Sequence, residues 1–167
     1  MLLRLIVLLA VIVGIVAAAF FGLTRRYAVP NDAMAPTLKK GDDVAVLRFE
    51  GTFDSPQRKD VVVVAPEPTG ACFSKSYVGR IIGLPGETVS ERDGAVSVDG
   101  KALREPYVRS ADRPNGVSRT LHVPPDSYLV LGDNRASKCS SPGFVLKKNV
   151  VGTVSLTYWP VDRVSFG

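Results

Sequence analysis

Residues that bind metals are scarce in this chain. It has a single histidine, His122, and two cysteines, Cys72 and Cys139. Three such side chains cannot complete a tetrahedral zinc site without help from carboxylates. A lone histidine followed by prolines also gives little support to a Ser-His-Asp triad. We therefore predict no metal site and no cofactor, and interpret His122 as a strand or core residue.

An excess of charge of one sign is also lacking. The formal net charge is +5, but three basic residues, Arg4, Arg25 and Arg26, lie beside an apolar run near the N-terminus. Without these three of the 21 basic residues, 18 remain against 16 acidic ones. Such a small net positive charge argues against a nucleic-acid partner. Arginines at the ends of an apolar run suit anionic lipid headgroups instead.

One long hydrophobic run is present, and it predicts a membrane anchor over residues 1–27. Residues 5–23 are uncharged and mostly aliphatic, and as a helix they span about 28 Å, close to the thickness of the bilayer core. The main alternative is a cleaved signal peptide with its processing site at 17–19; a buried helix is less favoured. Residues 20–23 prolong the run beyond that site, which favours the anchor. Arginines at both ends leave the orientation open.

The remaining residues, 28–167, have the pattern of a single all-β domain. About 140 residues suffice for one hydrophobic core, and short β-branched runs alternate with turns. Asp93-Gly94 and Asp99-Gly100 are typical of type I′ hairpin turns. The other predicted segments are strands at 44–49 and 60–64, a polar excursion at 104–120, strand residues 121–131 broken by a turn at 124–126, and a last strand at 159–166.

Three motifs in this domain resemble the boxes of one enzyme family. They are Pro30-Asn31-Asp32-Ala33-Met34-Ala35-Pro36-Thr37-Leu38, Tyr77-Val78-Gly79-Arg80-Ile81-Ile82-Gly83-Leu84-Pro85-Gly86-Glu87 and Gly132-Asp133-Asn134-Arg135. In this order they resemble the type I signal peptidases, membrane-anchored serine proteases that cleave signal peptides from secreted preproteins. The resemblance implies a partly closed antiparallel β domain with an extended hairpin arm, carried by one N-terminal transmembrane helix in the cell membrane. It also implies a cytoplasmic N-terminus and an extracytoplasmic main domain.

The positions that would carry catalysis in this family are substituted. Ala33 stands in the place of the serine nucleophile, Gly79 in the place of the general-base lysine, and Lys138 in the place of the serine that supports that lysine. A methyl group cannot attack a carbonyl, and glycine has no amine to act as the base. Lys138 could be a relocated base, with Ser137 or Ser140 as nucleophile, or an exposed loop residue.

Other residues match the framework of the family's site. The resemblance places an oxyanion-hole side chain at Asn31, although a turn asparagine is an equal alternative. It places substrate contacts in the first two boxes, at Pro30, Asp32, Met34, Tyr77 and Val78. It also implies that Arg80 and Asp133 form a structural ion pair, and that Cys72 and Cys139, which flank the cleft, form a disulfide. Two free buried thiols are the alternative.

Three functions are consistent with these motifs. The favoured one is a family member without Ser-Lys catalysis that binds signal peptides of preproteins, or other extended segments close to the membrane, along a strand edge. The second is an active endopeptidase with relocated catalytic groups, including Lys138. The third is a non-catalytic, structural β module. If the cleft is intact, we expect Ala33→Ser combined with Gly79→Lys to restore some cleavage.

Overall fold

A computed structural model describes residues 2–48, 55–66, 72–73, 75–140, 143–160 and 164–166. One α-helix, α1 (Leu2–Leu23), is followed by an antiparallel β domain. The strands are β1 (Thr24–Ala28), β2 (Asp43–Arg48), β3 (Val61–Val64), β4 (Tyr77–Gly83), β5 (Thr88–Arg92), β6 (Ala95–Val98), β7 (Lys101–Ala102), β8 (Ser118–His122), β9 (Ser127–Leu131), β10 (Gly143–Leu146), β11 (Val150–Trp159) and β12 (Ser165–Phe166). The all-β prediction for this domain is confirmed.

The N-terminal helix is apolar on every side. Its described side chains between Leu5 and Ile15 are exposed, Leu5 for example by 66%. Judged by length and hydropathy together, no helix within the described residues qualifies as a membrane span. The predicted anchor therefore stays a prediction. The helix ends at Leu23, and Thr24 is already the first residue of β1, which pairs with β2.

The larger sheet carries most of the core. Its strands lie in the order β1-β2-β11-β3-β4-β9-β10, with β12 beside β11, and each described pair is antiparallel. The valines of β3 and the whole of β4 are buried except for the partly exposed Val61. A continuous apolar run in a central strand is expected when both faces of the sheet are covered.

The smaller sheet forms the predicted hairpin arm. Its order is β7-β6-β5-β8. Asp93 and Gly94 join β5 to β6, and Asp99 and Gly100 join β6 to β7, all four with positive φ. This backbone conformation matches the right-handed twist of the flanking strands. Both predicted hairpin turns are therefore confirmed.

The predicted last strand at 159–166 is found only in part. Trp159 is the last residue of a ten-residue strand, β11, and Ser165–Phe166 form the short strand β12. Pro160 follows Trp159 and has no N–H to donate to a ladder. Only β12 lies beyond it, and residues 161–163 are outside the described residues. The predicted strand at 44–49 is found as β2, although Phe49 is also outside them.

Candidate functional site

The first motif forms a tight turn on the surface of the large sheet. Asp32–Met34 are one turn of 3-10 helix, and the side-chain oxygen of Asn31 accepts the N–H of Ala33 at 3.0 Å. An asparagine that caps a helical turn in this way satisfies a backbone donor. The side-chain oxygen of Asn31 thus caps the turn, and the oxyanion-hole role of its amide stays a prediction. The Oδ1 of Asp32 accepts the N–H of Lys40 at 2.9 Å, and Ala33 itself is buried.

The third motif holds this turn in place. The N–H of Asn134 donates to the carbonyl oxygen of Ala33 at 2.9 Å, and its side-chain amide donates to the carbonyl of Asp32 at 3.2 Å. A Cβ atom on Gly132 would overlap the carbonyl oxygen of Ala33. Glycine at 132 is therefore needed for the close approach of the two motifs.

Position 79 lies beside the C-terminal end of β9, which Gly132 follows directly. Gly79 is in β4, and an added Cβ atom would be 3.6 Å from the carbonyl oxygen of Leu131, the last residue of β9. The same Cβ would overlap the Cγ1 methyl of Val130. Positions 33 and 79 thus both adjoin the β9 end, where the chain turns at Gly132. The place of a side chain at 79 is filled by Val130.

No lysine amine is buried in this region or elsewhere in the chain. Every lysine of the chain is described and exposed. They are Lys39, Lys40, Lys59, Lys75, Lys101, Lys138, Lys147 and Lys148. A lysine becomes an unprotonated base near neutral pH by burial among apolar groups. The described structure therefore offers no lysine in the environment that a Ser-Lys dyad requires.

Ser140 carries a buried hydroxyl group close to the turn of the first motif. Ser140 is buried, its carbonyl oxygen accepts the N–H of Gly132 at 2.5 Å, and its hydroxyl has no hydrogen-bond partner among the described residues. Lys138 is in the exposed turn just before it. His122 is far along the chain in β8, exposed, with Nδ1 3.3 Å from the hydroxyl of Thr88. This arrangement does not supply a buried general base for Ser140.

Arg80 and Asp133 form a buried ion pair that joins the second and third motifs. Nε and Nη2 of Arg80 donate to the two carboxylate oxygens of Asp133 at 2.8 and 2.6 Å. The hydroxyl of Thr37 donates to the same carboxylate at 2.5 Å, which brings in the first motif. Two parallel N–H···O bonds fix the relative orientation of the groups. The pair therefore holds the three motifs together.

A second buried ion pair links the hairpin arm to this region. Nη2 of Arg135 donates to Glu105 at 2.5 Å, while its Nε donates to the carbonyl of Gly132 at 2.7 Å. The hydroxyl of Tyr107 donates to Glu105 at 3.2 Å, and its ring lies 4.0 Å below the guanidinium of Arg80. Burial, and then the charge of Glu105, raise the pKa of Tyr107 above its ordinary value. Sequence reasoning missed Glu105 and Tyr107, because nothing local in the excursion marks them.

The predicted disulfide between Cys72 and Cys139 is present, with the Cα atoms 5.5 Å apart. It ties the segment before β4 to the loop that carries Lys138. Both cysteines are thus unavailable as metal ligands. Within the described ranges, no group of three histidine, cysteine, aspartate or glutamate side chains is positioned to hold a metal ion.

The predicted substrate-contact residues divide into two groups. The side chains of Met34, Tyr77 and Val78 are buried in the core clusters of the large sheet. Asp32 is exposed and Pro30 is partly exposed.

Comparison with known proteins gives one consistent result. The family model described as "Signal peptidase, peptidase S26" matches residues 2–159. A signal peptidase I from Leptolyngbya laminosa is 35% identical over 150 residues, which are 86% of this chain and 72% of the relative. A signal peptidase I from Bacillus licheniformis is 32% identical over 172 residues, which are 95% of this chain and 88% of the relative.

The fold gives the same result. A crystal structure of a signal peptidase I from Enterococcus faecalis V583 superposes with a TM-score of 0.52 at 32% identity, covering 62% of this chain and 99% of that one. The antiparallel sheets described above are therefore a signal peptidase I-like fold. On sequence and fold together, this chain belongs to the signal peptidase family, peptidase S26.

Proposed function

We propose that this protein binds signal peptides of preproteins, or other extended segments close to the membrane, and does not hydrolyse them by Ser-Lys chemistry. Its relatives are signal peptidases, so the cleft is an inherited site for such segments. Removal of the nucleophile alone costs on the order of 10⁶ in rate in a serine protease. Here the nucleophile and the base positions are both without a reactive group.

One observation carries this proposal: the space beside position 79 is closed. The Cγ1 methyl of Val130 occupies the place where a side chain at 79 would begin. A site that had lost only its nucleophile would keep an open channel for the lysine. The packing at Val130 thus supports a cleft that has been rebuilt without the base.

The backbone of Val78 supports binding by strand addition. The N–H of Ile81 donates to the carbonyl of Asp60, beyond the end of β3. Since alternate residues of an antiparallel strand bond to opposite neighbours, the peptide groups of Val78 point away from β3. The pairing of β4 with β9 reaches only as far as Arg80 and Leu131. In the described chain no strand pairs with Val78 on that side, and although the residue is only 7% exposed, its unpaired backbone is where we propose that an extended peptide adds.

We further propose that α1 anchors the protein in the cell membrane, with the N-terminus in the cytoplasm and the β domain outside. A helix that is apolar all round requires an apolar environment, and the described side chains of α1 from Leu5 to Ile15 are exposed. The disulfide of the β domain fits an oxidising compartment outside the cytoplasm.

A cross-linking experiment tests the proposal. The full chain is reconstituted in vesicles and incubated with a preprotein that carries a photo-cross-linker in its signal peptide. We expect cross-linking to this chain and no cut at the Ala-x-Ala site. Val78→Pro removes the N–H that points into the cleft and should lower cross-linking about tenfold, as expected for one hydrogen bond. Val78→Ala keeps that N–H and is the matched control.

The other outcomes distinguish the alternatives. A cut that disappears with Lys138→Ala would establish an endopeptidase with relocated groups. Neither cutting nor cross-linking would support a structural module and overturn the proposed binding function.

A further inference from the structure

Glu105 lies at the base of the hairpin arm, just beyond β7, and its carboxylate faces two arginines. The side chain of Glu105 is fully buried. One of its oxygens accepts Nη2 of Arg135 at 2.5 Å, and the other lies 3.9 Å from Nη1 of Arg113. Arg113 also donates to the carbonyl of Gly94 in the turn between β5 and β6. A single carboxylate thus connects the arm to Arg135 of the third motif.

Arg135 depends on Glu105 for its orientation. Its side chain is only 3% exposed, so water gives it little support. Its Nε donates to the carbonyl of Gly132 at 2.7 Å, and its Nη1 has no hydrogen-bond partner among the described residues. A buried guanidinium keeps its place through its charge-assisted hydrogen bonds. Glu105 therefore orients Arg135, and Arg135 in turn fixes the carbonyl of Gly132.

The backbone after β9 supports the turn of the first motif. The N–H of Asn134 donates to the carbonyl of Ala33 at 2.9 Å, and a Cβ atom on Gly132 would overlap that same carbonyl oxygen. Because the two segments are in such close contact, a shift of Gly132 must displace the turn. The position of Ala33 thus depends on the contact between Arg135 and Gly132.

Tyr107, two residues after Glu105, supports a second arginine of the site. Its ring centroid lies 4.0 Å from the guanidinium of Arg80, which holds Asp133 of the third motif. The hydroxyl of Tyr107 donates to Glu105 at 3.2 Å. A guanidinium over an aromatic face is held by a cation–π attraction. The base of the arm thus contacts both arginines that hold the motifs together.

We propose that Glu105 is a positioning residue for the peptide-binding cleft. It acts through Arg135 on the backbone of Gly132 and Asn134, and so sets the shape of the turn at Ala33 beside a bound segment. The proposal rests on the binding function proposed above. It gives the hairpin arm a part in recognition, since the carboxylate that orients the cleft belongs to the arm.

Variants of the ion pair separate positioning from stability. Glu105→Gln leaves the buried charge of Arg135 without its partner, and should lower both the urea midpoint and the cross-linking of the preprotein described above. In Glu105→Leu with Arg135→Met, apolar side chains replace both charges, a change that often restores the stability of a buried pair. The carbonyl of Gly132 still loses its donor. We therefore expect this double variant to recover the urea midpoint but to cross-link about tenfold less than the unmodified chain.

A matched control removes an ion pair of the same kind from the same excursion. Arg109 and Asp112 pair with each other, at 2.5 Å between Nε and Oδ2, and neither contacts the third motif. Arg109→Met with Asp112→Leu should therefore leave the cross-linking unchanged.

Hydrogen exchange gives a readout that needs no ligand. The amide of Asn134 reports on its bond to Ala33, and the amide of Asp99 reports on its bond to Thr88 within the arm. In the double variant of Glu105 and Arg135, kept in detergent without denaturant, we expect exchange at Asn134 to be about tenfold faster and exchange at Asp99 to be unchanged. If the double variant does not fold, Glu105→Gln serves for the same comparison.

The outcomes that would overturn the proposal are distinct. Recovery of both the urea midpoint and the cross-linking in the double variant would show that Glu105 acts on stability alone. Equal changes of exchange at Asn134 and Asp99 would lead to the same conclusion. If the unmodified chain cross-links no preprotein, the proposed binding function fails, whereas the exchange at Asn134 still tests whether Glu105 positions the turn.

Discussion

Gly79 and Val130 are the residues on which the catalytic question depends. They are neighbours across β4 and β9, and the side chain of one fills the space of the other. Because interiors are closely packed, such a pair behaves as a unit. Changes at one of these positions are therefore expected to depend on the other.

A double-mutant cycle measures this dependence. Gly79→Ala should destabilise the protein by about 1–3 kcal/mol through overpacking, and Val130→Ala by about 2 kcal/mol through the cavity it leaves. Together they should cost less than the sum by about 1–2 kcal/mol, since each relieves the other. The free energy of unfolding in urea is the measurement. As a control, Gly79→Ala with the distant core change Val44→Ala should be additive.

The same contact changes the expectation for restored catalysis. Ala33→Ser with Gly79→Lys alone should give no measurable cleavage, because the lysine has no room beside Val130. Adding Val130→Ala should open that room and give a slow cut at the Ala-x-Ala site of a preprotein, measured by gel assay. Lys138→Ser, which supplies the supporting hydroxyl, should increase it further. Activity in the two-residue variant, or none in a well-folded four-residue variant, would contradict this interpretation.

At the scale of elements, the turn between β4 and the hairpin arm has its own electrostatic support. Two guanidinium nitrogens of Arg58 donate to Glu87, and the N–H of Leu84 donates to the same carboxylate at 2.7 Å. Burial by itself would raise the pKa of Glu87, but these bonds outweigh it, so the pKa lies below its ordinary value of 4.5. The pair fixes how the arm leaves the large sheet.

The lowered pKa of Glu87 predicts how the stability of the protein depends on pH. Because the folded pKa is below the unfolded one, the contribution of Glu87 to stability is complete above 4.5 and is lost as the pH falls through the folded value. Glu87→Gln should lower the urea midpoint at neutral pH and reduce its further fall in acid. Arg58→Met, which removes the main donor, should do the same. An acid slope unchanged in both variants would contradict the assignment.

The elements differ in how well the sequence predicts them. Asp93-Gly94 and Asp99-Gly100 predict their turns because the backbone conformation is set by the two residues themselves. The end of β11 at Trp159 depends on pairing with Asp43 of β2, far away in sequence, so a local pattern could not place it. The same holds for the site. The motif positions are visible in the sequence, whereas the contact of Val130 with Gly79 and the pairing of Glu105 with Arg135 arise only from strand register.

For the molecule as a whole, the disulfide covalently joins two segments of the β domain that are far apart in sequence. Cys72 and Cys139 are 67 residues apart in sequence. Closing a loop of that length stabilises the folded state by up to about 4 kcal/mol in the chain-entropy model. Cys72→Ser with Cys139→Ser should lower the free energy of unfolding by an amount of that order. Reductant should have the same effect on the unmodified chain and none on the variant; equal stability in all samples would contradict the prediction.

Because α1 passes directly into β1, the distance from the end of the helix to the first motif is fixed. Thr24 follows the last helical residue, Leu23, and Asn31 of the first motif is seven positions further along the chain. Seven residues of fully extended chain reach at most about 25 Å, and most of them are paired with β2 and cannot stretch or coil. The helix and strand thus hold the first motif at a fixed distance from the end of α1. Under the function proposed above, we expect a bound segment to be selected by how far it extends beyond the end of α1, as well as by its side chains.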